Sequence, residues 1–188
     1  MRYDCVMPSP LPSIATAPGT GATSDVHLAA SDPRVETWRA FLHAHALLIR
    51  RMDEELQAAH GVSLAEYDAM LQLVNAPGRR LRMSVLADRV LLSRSGITRL
   101  VDRLVAAGMV ERSACITDAR GAEASLTAAG LERLRAASRT HLDGVGRYFL
   151  GEMDDAERAA MEHALYRIAA GLGTPGTTEP PCGPGGRA

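Results

Sequence analysis

The stretch from Leu81 to Gly130 constrains the fold of this chain most strongly, because its local signals define a particular order of elements. Its central segment has both ends of a helix. Ser93 stands at an N-cap position, and Gly108 stands where a left-handed residue ends a helix. Between them, apolar residues recur at spacings of three and one, which gathers them on one helical face. These residues are Ile97, Leu100, Val101, Leu104 and Val105.

The opposite face of this helix is polar. It carries the guanidinium and hydroxyl groups of Arg94, Ser95, Thr98, Arg99 and Arg103. Arginine can bind guanine O6 and N7 or pair with phosphate, and hydroxyl groups can reach bases or backbone oxygens, so this face suits a DNA major groove. A helix face that is only solvated has a similar composition, so the helix by itself supports both interpretations.

The segments on either side favour the DNA interpretation. Upstream, the run of residues 83–92 predicts a short supporting helix, with Leu86, Ala87, Val90 and Leu91 on the side that packs against the apolar face. Downstream, residues 109–112 and 123–126 have strand character.

Between the two strands, residues 117–121 have turn chemistry, which places Arg120 at the tip of a hairpin. Thr127 then caps a further helix. Two helices followed by such a hairpin form a winged helix-turn-helix, whose natural partner is double-stranded DNA. In that fold Arg120 is placed to enter a narrow minor groove.

These segments resemble the MarR-type transcriptional regulators. The resemblance extends from Trp38 to Leu172 and is strongest in LADRVLLSRSGITRLVDRLVAAGMVER (86–112), the hairpin tip 118–121 and LTAAG (126–130). In that family the tip usually reads Asp-Arg-Arg, whereas Ala119 stands at the middle position here, so Arg120 is the wing arginine expected to reach DNA. The resemblance implies a repressor that releases a palindromic operator when a small aromatic ligand binds.

The expected fold class is mostly α with a small β-hairpin wing, flanked by N- and C-terminal dimerisation helices. Residues 1–31 and 173–188 are rich in Pro, Gly, Ser and Thr without periodicity, and both are expected to be disordered. A MarR-like domain fills 32–172, with the winged helix-turn-helix at about 63–127. No signal peptide or membrane span is recognised, so a cytoplasmic protein is expected.

The flanking helices are expected at about 33–60 and 128–172. In the first, apolar residues recur at three- and four-residue spacing, as they do in the segments 128–150 and 154–172. In the MarR-like family the first and last helices intertwine into a homodimer, which would match two half-sites about 34 to 36 Å apart. The residues alone also allow a monomeric helical bundle.

Charge is distributed in a way that suits nucleic acid. All 21 basic residues are arginine, and the formal net charge of the chain is -1. Residues 79–120 nevertheless hold nine arginines against four acidic residues, a local surplus of five positive charges. A basic stretch of this kind is an electrostatic footprint for DNA.

No constellation for catalysis, a metal or a cofactor is apparent. His43 and His45 are two residues apart on a helix and point about 200° apart, so they cannot share a metal. Cys5, Cys115 and Cys182 form an odd set that suggests neither a disulfide framework nor a redox switch. The sequence therefore predicts a protein that is not an enzyme and has no cofactor.

An effector site is expected between the dimer helices and the winged helix, although the residue types of most of its candidates favour a place in the core. The candidates are Trp38, His45, Tyr67, Asp68 and Arg112. In a urate-responsive branch of the family, Asp68 and Arg112 match by position and Trp38 by type, but Leu100 stands where that branch has an arginine. Aromatic and polar residues in this combination suit a phenolic or planar ligand. A winged-helix module that binds proteins and not DNA is the alternative function.

Overall fold

A computed structural model describes residues 28–29, 32–114 and 121–172. The predicted N-terminal extension apart from residues 28–29, the part of the hairpin tip with Arg120, the C-terminal tail and all three cysteines lie outside these residues. The chain divides into two compact units, residues 1–50 and 51–188, and the division falls within the first helix.

The described residues form six α-helices and a three-stranded antiparallel sheet. The helices are α1 (Pro33–His60), α2 (Leu64–Val74), α3 (Met83–Arg89), α4 (Arg94–Ala106), α5 (Ala128–Tyr148) and α6 (Asp155–Leu172). The strands are β1 (Arg80–Arg82), β2 (Val110–Ala114) and β3 (Ala122–Leu126), in the spatial order β1-β3-β2. This architecture confirms the expected class of a mostly helical protein with a small β wing.

Strand β1 was not predicted from the sequence. It is three residues long, and its central Leu81 is buried opposite Ala124 of β3. A strand this short contains too few residues to show a period-2 pattern. It nevertheless makes β3 the central strand of the sheet, so the hairpin of β2 and β3 is paired to the rest of the second unit through β1.

The core of the second unit lies between α2, α3, α4, the sheet and α5. Its largest fully buried side chains are Leu56, Val62, Met70, Leu73, Leu86, Ile97, Val101, Leu104 and Val110. Helix α5 contributes Leu134 and Ala137. The core therefore holds α4 by one face, which leaves the other face to solvent.

The supporting helix α3 is shorter than the sequence predicts. It ends at Arg89, and Leu91 has a left-handed backbone with φ of 55°. Its side chain is 77% exposed, so the prediction that Leu91 packs with Leu86 and Ala87 is wrong. The chain turns here because the N–H of Leu92 donates to the carbonyl of Ala87 at 2.9 Å, a bond that closes the helix end.

The start of α5 is locked to the end of α4 at the carbonyl of Met109. Thr127 donates to it from its backbone N–H at 3.1 Å and from Oγ1 at 3.0 Å. Thr127 Oγ1 also accepts from the N–H of Gly130, which confirms the predicted cap. Gly130 lies so close that an added Cβ would meet the Met109 oxygen at 2.1 Å and Leu126 Cδ1 at 2.8 Å.

Polar contacts join α5 to the C-terminal part of α1 within the second unit. His60 Nε2 lies 2.8 Å from Thr140 Oγ1, and Arg133 donates to the His60 carbonyl at 2.8 Å. Farther along, the hydroxyl of Tyr148 bonds the carboxylate of Glu55. These contacts attach the last turns of α1 to α5 at separate positions along α5.

Helix α2 begins with a capping box that also reaches α4. Glu66 Oε2 accepts from the N–H of Ser63 at 3.0 Å, and Ser63 Oγ accepts from the N–H of Glu66 at 3.2 Å. The other oxygen, Oε1, accepts from Arg103 Nε at 2.8 Å. Asp53 completes the helix end by accepting from the N–H of Leu64 at 2.7 Å. One carboxylate thus connects the start of α2 to α4.

The pKa of Glu66 reflects its hydrogen bonds to both Ser63 and Arg103. Burial raises the pKa, but the hydrogen bonds from Ser63 and Arg103 lower it by more, so the net shift is downward from the ordinary value. The folded state therefore binds a proton at Glu66 less readily than the unfolded chain does. This difference stabilises the fold above the ordinary glutamate pKa and is lost as pH falls through the folded value.

No helix in the ranges 32–114 and 121–172 combines the length and the apolar character needed to cross a membrane.

Replacing Gly130 by alanine is expected to destabilise the second unit by about 2–3 kcal/mol, because the new methyl group collides with a backbone carbonyl that Thr127 holds in place. Gly146 lies on the same helix with nothing within 4 Å of an added Cβ. The control Gly146→Ala should stabilise by about 0.5–1 kcal/mol through helix propensity. Urea unfolding measures both, and equal stabilities for the two variants would contradict the close packing at Met109.

Replacing Glu66 by glutamine keeps a capping-box side chain but removes the charge. At pH 7 wild type should be the more stable protein, because ionised Glu66 is favoured in the folded state. The gap in urea midpoint should close as pH falls below about 4.3, the ordinary glutamate pKa. A gap of the same size at pH 7 and pH 3 would show that the charge of Glu66 does not contribute to stability.

Candidate nucleic-acid interface

Helix α4 begins and ends where its sequence signals predict. Ser93 is the N-cap, with Oγ accepting from the N–H of Gly96 at 3.1 Å. Gly108 follows the C-cap Ala107 with a left-handed φ of 70°, which glycine adopts without strain. Both predicted boundaries are confirmed, and they leave 13 helical residues between them.

The apolar face of α4 is narrower than predicted. Ile97, Leu100, Val101 and Leu104 are buried, but Val105 is exposed, so its predicted place in the stripe is wrong. Each residue advances about 100° around the helix. That step carries Val105 past the buried sector and onto the edge of the polar half, between the directions of Arg94 and Thr98.

The five residues of α4 predicted to contact DNA lie together on this polar half. Arg94, Ser95, Arg99 and Arg103 are exposed, and Thr98 is half-buried. Their hydroxyl groups already have local partners. Thr98 Oγ1 donates to the carbonyl of Arg94 at 2.9 Å, and Ser95 Oγ lies 3.2 Å from Ser93 Oγ. Both hydroxyl oxygens retain lone pairs that can accept from a base amine.

The three arginines of α4 differ in the ion pairs and hydrogen bonds that their side chains form. The guanidinium groups of Arg94 and Arg99 form no ion pair with any residue that the structure describes. Arg103, in contrast, donates from Nε to Glu66 and from Nη1 to the carbonyl of Arg99 at 3.4 Å. It therefore attaches α4 to α2, a role that the sequence did not predict. Among the three, Arg94 and Arg99 present unshared donors to solvent.

Arg112 of β2 is also tied to α4. Its Nη1 lies 3.1 Å from Asp102 Oδ1, and both side chains are partly exposed. Arg112 lines an open cleft of about 530 Å³ between the sheet and the end of α4, together with Arg80, Glu111, Glu123 and Ser125. None of the other four predicted effector residues lines this cleft.

Tyr67 and Asp68 lie on α2, and their surroundings differ. Tyr67 is buried in the core, with its ring 4.5 Å from that of His141 and its hydroxyl donating to Ser138 at 3.4 Å. Asp68 is half-buried, and this burial raises the pKa of its carboxyl group, against a lowering hydrogen bond from Gln72. Burial also disfavours the charged form of His141, which lowers the pKa of its imidazole. Tyr67 thus serves the core, as the alternative interpretation of the sequence allowed.

Trp38 and His45 belong to the first unit. Phe41 lies between them on α1, with ring centroids 5.9 Å from Trp38 and 6.0 Å from His45. Trp38 is 58% exposed. These three rings form an aromatic row along one side of the helix. Neither this row nor the rest of the described chain contains a group of three His, Cys, Asp or Glu side chains placed to hold a metal ion.

Comparison with known proteins gives a consistent result. Residues 60–121 match the family model described as MarR family. The structure is similar to Sco3205 of Streptomyces coelicolor, a MarR family transcriptional regulator in complex with DNA, with 31% identity and a TM-score of 0.71 over 78% of this chain and 94% of that chain. AbsC, a MarR family regulator of the same organism, is 30% identical, with a TM-score of 0.71 over 77% and 97%.

A third similar structure is the transcriptional regulator PcaV of Streptomyces coelicolor in complex with its natural ligand. It is 25% identical, with a TM-score of 0.59 over 78% of this chain and 98% of that chain. No curated protein sequence matches this chain significantly.

The match covers 94% and 97% of the two relatives at 31% and 30% identity, so it includes nearly the whole of each chain. The family consists of transcription regulators and not of enzymes, which confirms the expectation of a protein without catalytic activity. The chain belongs to the MarR family of transcriptional regulators.

Proposed function

We propose that this protein represses transcription by binding a palindromic operator as a homodimer, with α4 in the major groove of each half-site. The observation that carries the proposal is the two-sided character of α4. Four apolar residues hold it in the core, while Arg94 and Arg99 extend into solvent without an ion pair among the described residues. A duplex can bind such guanidinium groups without first breaking a protein salt bridge.

The distribution of charge along the chain supports the placement of α4 against DNA. The segment 79–120 carries its surplus of five positive charges although the whole chain is at -1. Such a local field raises the association rate with a polyanion and falls off with added salt. Arg120 at the wing remains a predicted minor-groove contact. Sco3205, similar over most of its length, was solved in complex with DNA.

The dimer is supported by apolar side chains that a single protomer leaves exposed on its first and last helices. On α1 they are Trp38, Phe41, Leu42, Leu47 and Ile49, and on α6 they are Met161, Leu165, Ile168 and Leu172. Helix α6 has no buried residue at all among those described. Exposed apolar surface of this extent marks an interface, and a second copy of the chain is the proposed occupant.

The proposed effector is a small aromatic molecule. The exposed row of Trp38, Phe41 and His45 offers planar surfaces on which an aromatic ring can stack. PcaV, a similar regulator, was solved with its natural ligand. Such an effector acts only by favouring a state that does not match the operator, so operator DNA must weaken its binding by the same factor. Since its target is chromosomal DNA, the protein is proposed to act in the cytoplasm.

Arg99→Ala should weaken specific DNA binding by about 1–3 kcal/mol, because a bidentate arginine–guanine contact contributes that much discrimination. The preference for one base per half-site should relax as well. The control Arg135→Ala removes the same charge from an exposed position on α5 and should leave the preference intact. Fluorescence anisotropy with the selected operator and with single-base variants measures both effects. Equal affinity of wild type and Arg99→Ala for the operator would remove Arg99 from the interface.

Ile49→Glu should convert the dimer to a folded monomer, because Ile49 is exposed in the protomer and buried only in the proposed interface. Light scattering after gel filtration gives the mass, and circular dichroism reports the fold. The matched control Gln57→Glu adds the same charge at an exposed polar position of α1 and should remain dimeric. A dimeric Ile49→Glu variant would place the interface elsewhere.

A further inference from the structure

Leu91, between α3 and α4, combines two unfavourable features. Of the three consecutive apolar residues 90–92, Val90 and Leu92 pack against the core, whereas Leu91 is 77% exposed. Its backbone is also left-handed, with φ of 55°. A residue with a β-carbon is strained in this region, and asparagine or glycine is the usual occupant.

The turn requires the backbone conformation but not the leucine. The N–H groups of Leu91 and Leu92 close the end of α3 by donating to the carbonyls of Asp88 and Ala87 at 3.3 and 2.9 Å. These bonds involve only the main chain, so a more permissive residue would make them equally well. An exposed leucine by itself is ordinary, but a leucine held in a strained conformation at the surface calls for a role of its side chain.

The position of Leu91 in the chain indicates what its side chain could contact. Leu91 lies two residues before Ser93, the N-cap of α4, and three before Arg94. In helix-turn-helix proteins the N-terminal residues of the recognition helix contact base edges. Leu91 therefore lies just before the start of the helix that we place in the groove, with its side chain exposed close to the end that contacts base edges.

We propose that Leu91 is a specificity-determining residue that packs against the C5-methyl group of a thymine in each half-site. This inference rests on the proposed function, since it needs α4 in the major groove. Thymine is the base that presents a methyl group there, and apolar side chains read it by contact. Burial of the leucine against that methyl group removes both from water.

The test uses the duplex that wild type selects from a random library. Each thymine is replaced in turn by deoxyuridine, which lacks only the methyl group, and affinity is measured by anisotropy for wild type and Leu91→Asn. In wild type, one thymine position in each half-site should be sensitive. A single replacement there should lower the affinity about fourfold, the factor that corresponds to one buried methyl group. Leu91→Asn should bind the methylated and unmethylated duplexes equally.

Two controls separate this role from a structural one. Leu150→Asn makes the same change at another exposed leucine, outside α4, and should keep the thymine preference of wild type. Leu91→Asn should also unfold at the same or a higher urea concentration than wild type, because asparagine tolerates the left-handed backbone.

Other outcomes overturn the inference. If each deoxyuridine duplex affects wild type and Leu91→Asn equally, the leucine does not read a methyl group. If Leu91→Asn is less stable than wild type, the side chain serves the fold instead. If wild type selects no duplex, the proposed function fails and this inference fails with it.

Discussion

The burial of one face of α4 is the constraint on which the rest of the structure depends. Ile97, Leu100, Val101 and Leu104 are buried against α2, α3 and the sheet, and each large aliphatic side chain contributes about 1.5–3 kcal/mol when it is fully buried. Because these four residues occupy one sector of the helix, its remaining residues must face solvent. Two partly exposed ion pairs then connect α4 to its neighbours, through Arg103 to α2 and through Arg112 to β2. The pair of Arg112 with Asp102 is the more exposed of the two and adds little stability, whereas the pair of Arg103 ends on the partly buried Glu66, whose ionised form the fold favours.

Contacts at the ends of the neighbouring elements fix the position of α4 relative to α2 and α5. At its C-terminal end, the Met109 carbonyl receives two hydrogen bonds from Thr127 and lies against Gly130, so the start of α5 has a fixed position relative to α4. At the other side, Glu66 serves the N-terminus of α2 and Arg103 at once. These are short-range contacts with little freedom. They make α4 and the first turn of α5 parts of one packed unit.

The sequence predicted those features that depend on local signals. The N-caps Ser93 and Thr127 and the left-handed Gly108 follow from the chemistry of single residues, and each is found in place. The failures have two causes, the local geometry of the helices and contacts between distant segments. Leu91 and Val105 fit an apolar pattern, but the helix ends before the first and rotates the second out of the core. The pair between Arg103 and Glu66 joins residues 37 positions apart, and nothing in the local pattern separates an arginine that binds DNA from one that binds a carboxylate.

The central claim is that a basic, one-sided α4 binds the major groove, and the salt dependence of DNA binding tests it most directly. Each arginine–phosphate contact releases counterions, so the logarithm of the affinity should fall steeply and linearly with the logarithm of the salt concentration, with a slope of about -0.9 per phosphate neutralised. The selected operator should also keep its advantage over random duplex at every salt concentration. A flat plot without preference for the operator would contradict the account and would favour a winged helix that binds protein partners.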